Sequence, residues 1–153
     1  RGGMVKNLHG QKNLYYQVNA TYYSALGESD EKMLLARAIQ MFMPGKSQIW
    51  YLDLFAGKND HEAVQRAGES GHKEINRTNL STDQITEGLK KDVVQKQLAL
   101  IRMRNTHKAF SEGAEVAISG GERSLEIRWE YNSAFATLYV NFESGTYTIV
   151  ESK

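Results

Sequence analysis

SLEIRWEY, residues 124–131, alternates strictly between apolar and polar side chains after its first residue. In an extended chain successive side chains point to opposite faces, so every second residue of this stretch shares a face. The apolar positions are Leu125, Ile127, Trp129 and Tyr131. This pattern predicts a strand with one buried and one solvated face, as in an antiparallel sheet.

The chain after this stretch continues the pattern. AFATLYVNF (134–142) places Leu138, Val140 and Phe142 on one face, and TYTIVE follows at 146–151. Turns are expected at Gly120–Gly121, Asn132–Ser133 and Ser144–Gly145. This part of the chain therefore predicts a small antiparallel meander.

The region upstream predicts helices and one strand. SDEKMLLARAIQMFMPG (29–45) predicts a helix that Ser29 or Asp30 caps and that the only proline ends. SQIWYL (47–52) contains an unbroken apolar and aromatic run, which predicts a short buried strand. Residues 92–104 carry apolar side chains at helical spacing, which predicts a second long helix.

A polar insert, AGKNDHEAVQRAGESGHKEINRTNLS (56–81), lies between the predicted strand and that second helix. It is rich in charges, amides and glycines and poor in apolar side chains, which predicts a long polar loop. At its end Ser81 and Gln84 predict a capping box for a short helix. Loops of this length in compact domains are usually either functional or disordered.

Composition narrows the classes of partner. The 153 residues include 19 basic and 18 acidic side chains, and this balance does not indicate nucleic-acid binding. There is no cysteine, no apolar run approaches a membrane span, and the 4 histidines lack the spacing of metal ligands. We therefore expect a cytoplasmic protein that needs no cofactor and binds neither nucleic acid nor a membrane.

Two stretches carry candidate binding residues. The aromatic cluster LYYQVNATYY (14–23) fits a strand edge packed on a core, and it also fits a carbohydrate platform, with Gln17 and Asn19 offering amides to hydroxyls. Arg77, next to Asn76, fits either a solvated charge or a site for hydroxyls or an anion. The residues alone leave both choices open.

Three stretches together resemble the sucrose phosphorylase group of the α-amylase family. They occur in the order and spacing of that group, whose members typically read Y-Q-V/I-N-x-T-Y-Y at the first of them. The stretches are YQVNATYYSALG (16–27), FMPGKSQIWYLDLFAGKNDHE (42–62) and GHKEINRTNLS (71–81).

The resemblance implies an α+β chain, namely the last helix–strand–helix segment of a (β/α)8 barrel followed by a small antiparallel β domain. Residues 29–43 correspond to the seventh barrel helix, 47–52 to the eighth strand and 92–104 to the closing helix. The implied domains are 1–108 and 109–153. A loop after a barrel strand lies at the active-site face, so the insert is expected to form one wall of a sugar pocket.

The resemblance also implies an activity. The group transfers a glucosyl unit reversibly between a glucoside and phosphate with retention, giving glucose 1-phosphate, which requires two carboxylates. No Asp or Glu of this chain matches them, so we expect the C-terminal fragment of a retaining α-glucoside phosphorylase that is inactive alone. A hydrolase of the same family and a free-standing carbohydrate-binding module are the alternatives.

The motifs assign four substrate-binding residues by resemblance. Arg77, in "INR" with Asn76, matches the arginine that binds glucosyl hydroxyls. Tyr16 and Gln17 match the mobile acceptor loop, whose tyrosine approaches the phosphate or the acceptor.

Three positions depart from the motifs. Leu14 and Tyr15 stand where sucrose phosphorylases usually read Asp-Leu, and Thr78 stands where they read His. Because loss of that carboxylate makes a pocket more tolerant of an anionic acceptor, a phosphorylated sucrose or glucosylglycerate is as good a candidate substrate as sucrose.

The expected partners follow from the same resemblance. They are a small glucoside, inorganic phosphate and the remainder of the parent barrel. A lone strand at 47–52 would expose unpaired edges, so self-association into a homo-oligomer is also expected of this chain.

Overall fold

A computed structural model of the chain describes residues 1–7 and 15–153. The chain forms two compact units, one of Arg1–Met33 with Ile49–Val94 and the other of Leu34–Gln48 with Gln95–Lys153. The predicted domain boundary between 108 and 109 stays a prediction.

The chain contains short and long helices and two antiparallel sheets. The α-helices are α1 (Tyr22–Ala25), α2 (Asp30–Phe42), α3 (Tyr51–Leu54), α4 (His61–Ala67), α5 (Thr82–Gly88) and α6 (Asp92–Thr106), with 3-10 helices at Gly68–Asn76 and Lys108–Phe110. The strands are β1 (Met4–Asn7), β2 (Tyr15–Asn19), β3 (Glu115–Gly121), β4 (Ser124–Tyr131), β5 (Ala134–Asn141) and β6 (Thr146–Glu151). In the described ranges, no helix is both long and apolar enough to cross a membrane.

Three predicted helices are confirmed. Helix α2 begins where Ser29 Oγ accepts the Lys32 N–H at 3.2 Å, and α6 covers the predicted residues 92–104. Before α5, Ser81 Oγ accepts the Gln84 N–H at 3.2 Å while Gln84 Oε1 accepts the Ser81 N–H at 2.8 Å. This reciprocal pair is the capping box that the sequence predicts.

The predicted strand at 47–52 is wrong for this chain. Residues 46–50 take part in no strand among the described residues, Trp50 has an extended backbone, and the next residues form α3. An apolar strand of the parallel type needs a neighbour on each side. All strand pairs of the described residues are antiparallel, and none of them involves this segment, so the segment has no strand to pair with.

The predicted long loop at 56–81 is also wrong, because most of it is helical. The insert folds into α4 and the 3-10 helix Gly68–Asn76, with Ile75 fully buried as its apolar anchor. A Cβ added at Gly71 would lie 2.6 Å from the Val64 carbonyl oxygen. Glycine therefore permits the close approach of the two helices, which sequence periodicity alone does not reveal.

The second unit contains the predicted meander. Strands β3 to β6 pair in sequence order, with Ile127 opposite both Ile118 and Leu138, and Ile127 and Leu138 are fully buried. The apolar face of β4 is confirmed, whereas Phe142 lies beyond β5 and is 48% exposed. The turn predicted at Gly120–Gly121 is displaced, since these glycines end β3 and the turn lies at residues 122–123.

An aromatic cluster anchors this sheet within its unit. The Trp129 indole Nε1–H donates to the Phe42 carbonyl at 2.6 Å, and the Phe42 ring meets Phe110 edge-on at 5.3 Å. The Arg104 guanidinium lies 4.6 Å from the centroid of Phe110 and 4.4 Å from that of Trp129. Trp129 thus contributes both apolar area and a buried hydrogen bond to the core of the unit.

The Trp129 bond predicts a measurable loss of stability. Trp129→Phe keeps an aromatic ring but leaves the Phe42 carbonyl without its buried donor. We expect the free energy of unfolding to fall by about 2 kcal/mol, measured by urea denaturation. Tyr139→Phe is the control, because Tyr139 is 45% exposed, and its effect should stay within roughly 0.5 kcal/mol. Equal losses in the two variants would show that the indole bond contributes nothing.

Candidate functional site

A cleft of about 200 Å³ in the first unit brings together most of the predicted site residues. Of the four predicted residues, it contains Gln17, Asn76 and Arg77, and the side chain of Tyr16 lies outside the described part of the chain. We call this space the binding cleft. Its lining residues are Gln17, Asn19, Trp50, Lys73, Asn76 and Arg77.

Hydrogen bonds from distant parts of the chain fix the backbone around Arg77. Asn76 Nδ2 donates to the Ala20 carbonyl at 3.2 Å, and the Trp50 indole Nε1–H donates to the Asn76 carbonyl at 2.8 Å. The Tyr51 hydroxyl donates to the Thr78 carbonyl at 2.7 Å. The residues on both sides of Arg77 are therefore anchored, so the guanidinium projects from a fixed point of the backbone.

Asp60 ties the two ends of the insert together. Its N–H donates to the Ile75 carbonyl at 2.8 Å, its Oδ1 accepts the Ala63 N–H at 2.8 Å and caps α4, and its Oδ2 accepts the Thr78 hydroxyl at 3.0 Å. The bond from the Ala63 amide is the main reason that the pKa of this carboxyl lies below its ordinary value.

Strand β2 contributes a polar wall to the cleft. Gln17 Nε2 donates to Asn19 Oδ1 at 3.0 Å, and Asn19 is only 6% exposed. The Nδ2 of Asn19 is buried and has no hydrogen-bond partner among the described residues. A buried donor without an acceptor costs about 1–3 kcal/mol, so this atom lowers the stability of the polar wall.

The charge of the cleft is positive. Lys73 and Arg77 are its charged lining residues, and no carboxylate of a described residue lines it. The nearest approach of Arg77 to an acid is 3.6 Å, from Nη1 to Glu74 Oε1, and the Arg77 side chain is half exposed. Such a pair contributes little and leaves guanidinium donors available for hydroxyls or an anion.

Arg77 also lines a second, polar cleft of about 480 Å³. Asp60, Arg66, Glu74 and Thr78 belong to that cleft as well. Arg77 is therefore common to two neighbouring spaces, and it is the residue around which the candidate site is organised.

Sequence reasoning missed Trp50 and Lys73. Trp50 was expected to be a buried strand residue, yet its side chain is 48% exposed and lines the cleft. Lys73 lies four residues before Arg77 in a segment that was expected to be a loop, where no helical spacing pointed to a shared face. The sequence offers Asn19 as a source of amide contacts but does not indicate that this side chain is buried.

The residues of the cleft can bind a ligand but cannot catalyse glycosyl transfer. Amides, a guanidinium and an ammonium can hold hydroxyls and anionic groups. Retaining glycosyl transfer needs a nucleophile and an acid–base carboxyl, and the lining residues provide neither.

Comparison with known proteins identifies homologues. The chain is 53% identical over 152 residues to the sucrose 6(F)-phosphate phosphorylase of Ilumatobacter coccineus, covering 97% of this chain and 29% of that protein. It is 43% identical over 137 residues to the sucrose phosphorylase of Agrobacterium vitis, covering 90% of this chain and 28% of that protein. No family model matches.

A solved structure agrees with these relatives. The crystal structure of sucrose 6F-phosphate phosphorylase from Thermoanaerobacter thermosaccharolyticum matches with a TM-score of 0.90 at 36% identity, over 99% of this chain and 32% of that one. The chain thus spans about three tenths of the length of the proteins that it matches. It is a homologue of the C-terminal part of sucrose phosphorylase-type enzymes, which confirms the resemblance of the motifs.

The lowered pKa of Asp60 predicts a pH dependence. A carboxyl with a depressed folded-state pKa stabilises the fold fully above its unfolded pKa, near 4, and loses that contribution as the pH falls through the folded value. The difference in urea midpoint between wild type and Asp60→Asn should therefore be constant above about pH 5 and become less favourable to wild type toward pH 2. A difference that stays constant over the whole range would contradict the role of the ionised cap.

Proposed function

We propose that this chain, as a homologue of the C-terminal part of sucrose phosphorylase-type enzymes, belongs to an α-glucoside phosphorylase and supplies one wall of its sugar pocket. The enzyme would transfer a glucosyl unit from sucrose or a related glucoside to phosphate, giving glucose 1-phosphate. The observation that carries the proposal is the binding cleft, because Gln17, Asn76 and Arg77 meet there without a carboxylate.

In this proposal the rest of the parent enzyme completes a (β/α)8 barrel. Trp50 and Tyr51 are 48% and 38% exposed, although both are large aromatic residues. In that barrel the insert would lie at the active-site face, where the loops that follow the barrel strands meet. The exposure of these rings supports a missing partner surface.

The division of labour follows from the chemistry. Retention requires two carboxyl groups about 5–5.5 Å apart on either side of the glycosidic bond, and the remainder of the enzyme would supply both. This chain would hold the glucosyl unit. The Arg77 guanidinium and the Asn76 and Gln17 amides donate to hydroxyls, and a fixed sugar ring places its anomeric carbon against the nucleophile.

We further propose sucrose phosphorylated on its fructosyl unit as the glucoside. Leu14 replaces the usual acidic residue of the acceptor loop, and the cleft carries two cations. The 53% identical relative is named a sucrose 6(F)-phosphate phosphorylase, which supports the same choice.

The alternatives fit less well. The relatives cited above are all named phosphorylases, which disfavours a hydrolase and a free-standing carbohydrate-binding module. A homo-oligomer and a cytoplasmic location stay predictions.

A chimera tests the proposed function. The C-terminal segment of the Ilumatobacter coccineus enzyme that corresponds to residues 1–153 is replaced by this chain, and glucose 1-phosphate release is measured with and without phosphate. We expect release from the chimera only when phosphate is present, with sucrose 6-phosphate preferred to sucrose, and no release from the 153-residue chain alone.

Two results would overturn this proposal. Activity of the chain alone would show that it contains the carboxylates that the cleft lacks. A folded chimera that releases free glucose at the same rate without phosphate would indicate a hydrolase. Unfolding of the chimera and of the unmodified relative is compared first, so that loss of structure is not mistaken for loss of function.

A further inference from the structure

Strand β3 is an edge of the four-stranded sheet in the second unit. Among the described residues it pairs with β4 alone, and all seven of its residues do so without a bulge. Val116 and Ile118 share the face of the buried Ile127, since Ile118 lies directly opposite that residue. They are nonetheless 38% and 48% exposed. The apolar face of the sheet therefore continues onto an exposed edge.

The register of the sheet directs backbone hydrogen-bonding groups of β3 toward this edge. The Phe142 N–H donates to the Arg123 carbonyl at 2.9 Å, and this bond fixes which residue pairs of β4 and β5 are hydrogen-bonded. The odd-numbered residues of β4 therefore bond to β5, and its even-numbered residues bond to β3. It follows that the N–H and C=O groups of Val116 and Ile118 point away from β4, toward the exposed edge.

Strand β3 lacks the features that usually keep an edge strand from pairing with another chain. It contains no lysine, no proline and no bulge, and all of its residues are exposed. The opposite edge, β6, is protected, because Tyr147 and Ile149 line a groove with α6 and Glu151 places a charge on the same inward face. Of the two edges of this sheet, β3 is therefore the one that can accept a further strand.

The sequence of β3 is complementary to itself in one antiparallel register. When two copies pair about a twofold axis at Ala117, Val116 of each copy faces Ile118 of the other, and their outward backbone groups meet. Glu115 of each copy then faces Ser119 of the other, so no like charges are opposed. A shift of two residues in either direction would leave one apolar pair in place of two.

We propose that β3 is a homodimer interface, at which two copies of this chain join their sheets edge to edge into one continuous antiparallel sheet. The interface does not depend on the proposed function, and it lies in the second unit instead of at the segment 47–52. Because the contact of two short strands is smaller than a standard protein interface, we expect a Kd on the order of 10 µM.

Disulfide trapping tests the register of this interface, because the chain contains no cysteine. At the twofold axis the two Ala117 Cα atoms would lie about 4.5 Å apart, which is within the reach of a disulfide. Most Ala117→Cys chains should therefore form a covalent dimer after mild oxidation, measured on non-reducing gels. Ser119→Cys is the matched control and should stay monomeric. Ser119 lies on the same exposed face of β3, but its two copies would be about 13 Å or more apart.

Sedimentation equilibrium measures the strength of the dimer, with variants whose circular dichroism matches wild type. Ile118→Lys should weaken dimerisation about tenfold or more, because it places a charge in each of the two apolar pairs. Val150→Lys is the control for the added charge. Val150 is 46% exposed, much like Ile118, but it lies on β6, so the dimer Kd should stay within about twofold of wild type.

Three outcomes would overturn the interface. They are a wild-type chain that stays monomeric up to about 200 µM, equal cross-linking of the two cysteine variants, and equal effects of the two lysine variants.

The chimera separates a second copy from the rest of the parent enzyme as the partner of β3. We expect the folded chimera to associate, with Ile118→Lys weakening that association and Val150→Lys leaving it unchanged. A chimera whose association neither variant changes would assign the edge to the rest of the parent enzyme and refute the homodimer interface. Because neither residue lines the binding cleft, none of these outcomes bears on the proposed phosphorylase function.

Discussion

The candidate site depends on the hydrogen bonds that hold a polar insert in place without much apolar burial. Ile75 is the one fully buried apolar side chain of the described insert. Partly buried amides and backbone groups supply the other contacts, with the Thr21 N–H donating to Asn59 Oδ1 at 2.7 Å and Asn76 Nδ2 donating to the Ala20 carbonyl. Because each of these groups would be costly if left unpaired, the network specifies one conformation of the insert.

That network explains how a guanidinium on the surface can have a defined position. Arg77 itself is half exposed, and its ion pair with Glu74 is too long to fix it. Its neighbours in sequence are bonded to Ala20, Trp50 and Tyr51, which lie far away along the chain. The second unit uses the opposite strategy, since an apolar sheet face and the cluster of Phe42, Phe110 and Trp129 supply most of its order.

The sequence predicts those parts of the fold that local rules determine. Alternation specifies β4, and the pair Ser81 and Gln84 specifies the start of α5, because both signals act over a few residues. The prediction of a strand at 47–52 was wrong because an apolar run of this kind forms a strand only when neighbouring strands are present to pair with it. The prediction of a long loop at 56–81 was wrong because the helices of the insert depend on one buried isoleucine, an aspartate cap and a glycine contact. These features leave no periodic pattern in the sequence. Lys73 and Trp50 could not be predicted from the sequence for the same reason, because the fold alone brings them to the cleft.

The proposed function requires Arg77, and not the exposed Arg66, to bind the glucosyl unit. Arg77 and Arg66 each lie 3.6 Å from a glutamate three or four residues earlier in the chain, but only Arg77 lines the binding cleft. The measurement is the kcat/KM of phosphorolysis of sucrose 6-phosphate by the chimera carrying Arg77→Gln or Arg66→Gln. We expect a loss of about 100-fold for Arg77→Gln and less than about twofold for Arg66→Gln. Equal kcat/KM values for the two folded variants would contradict it.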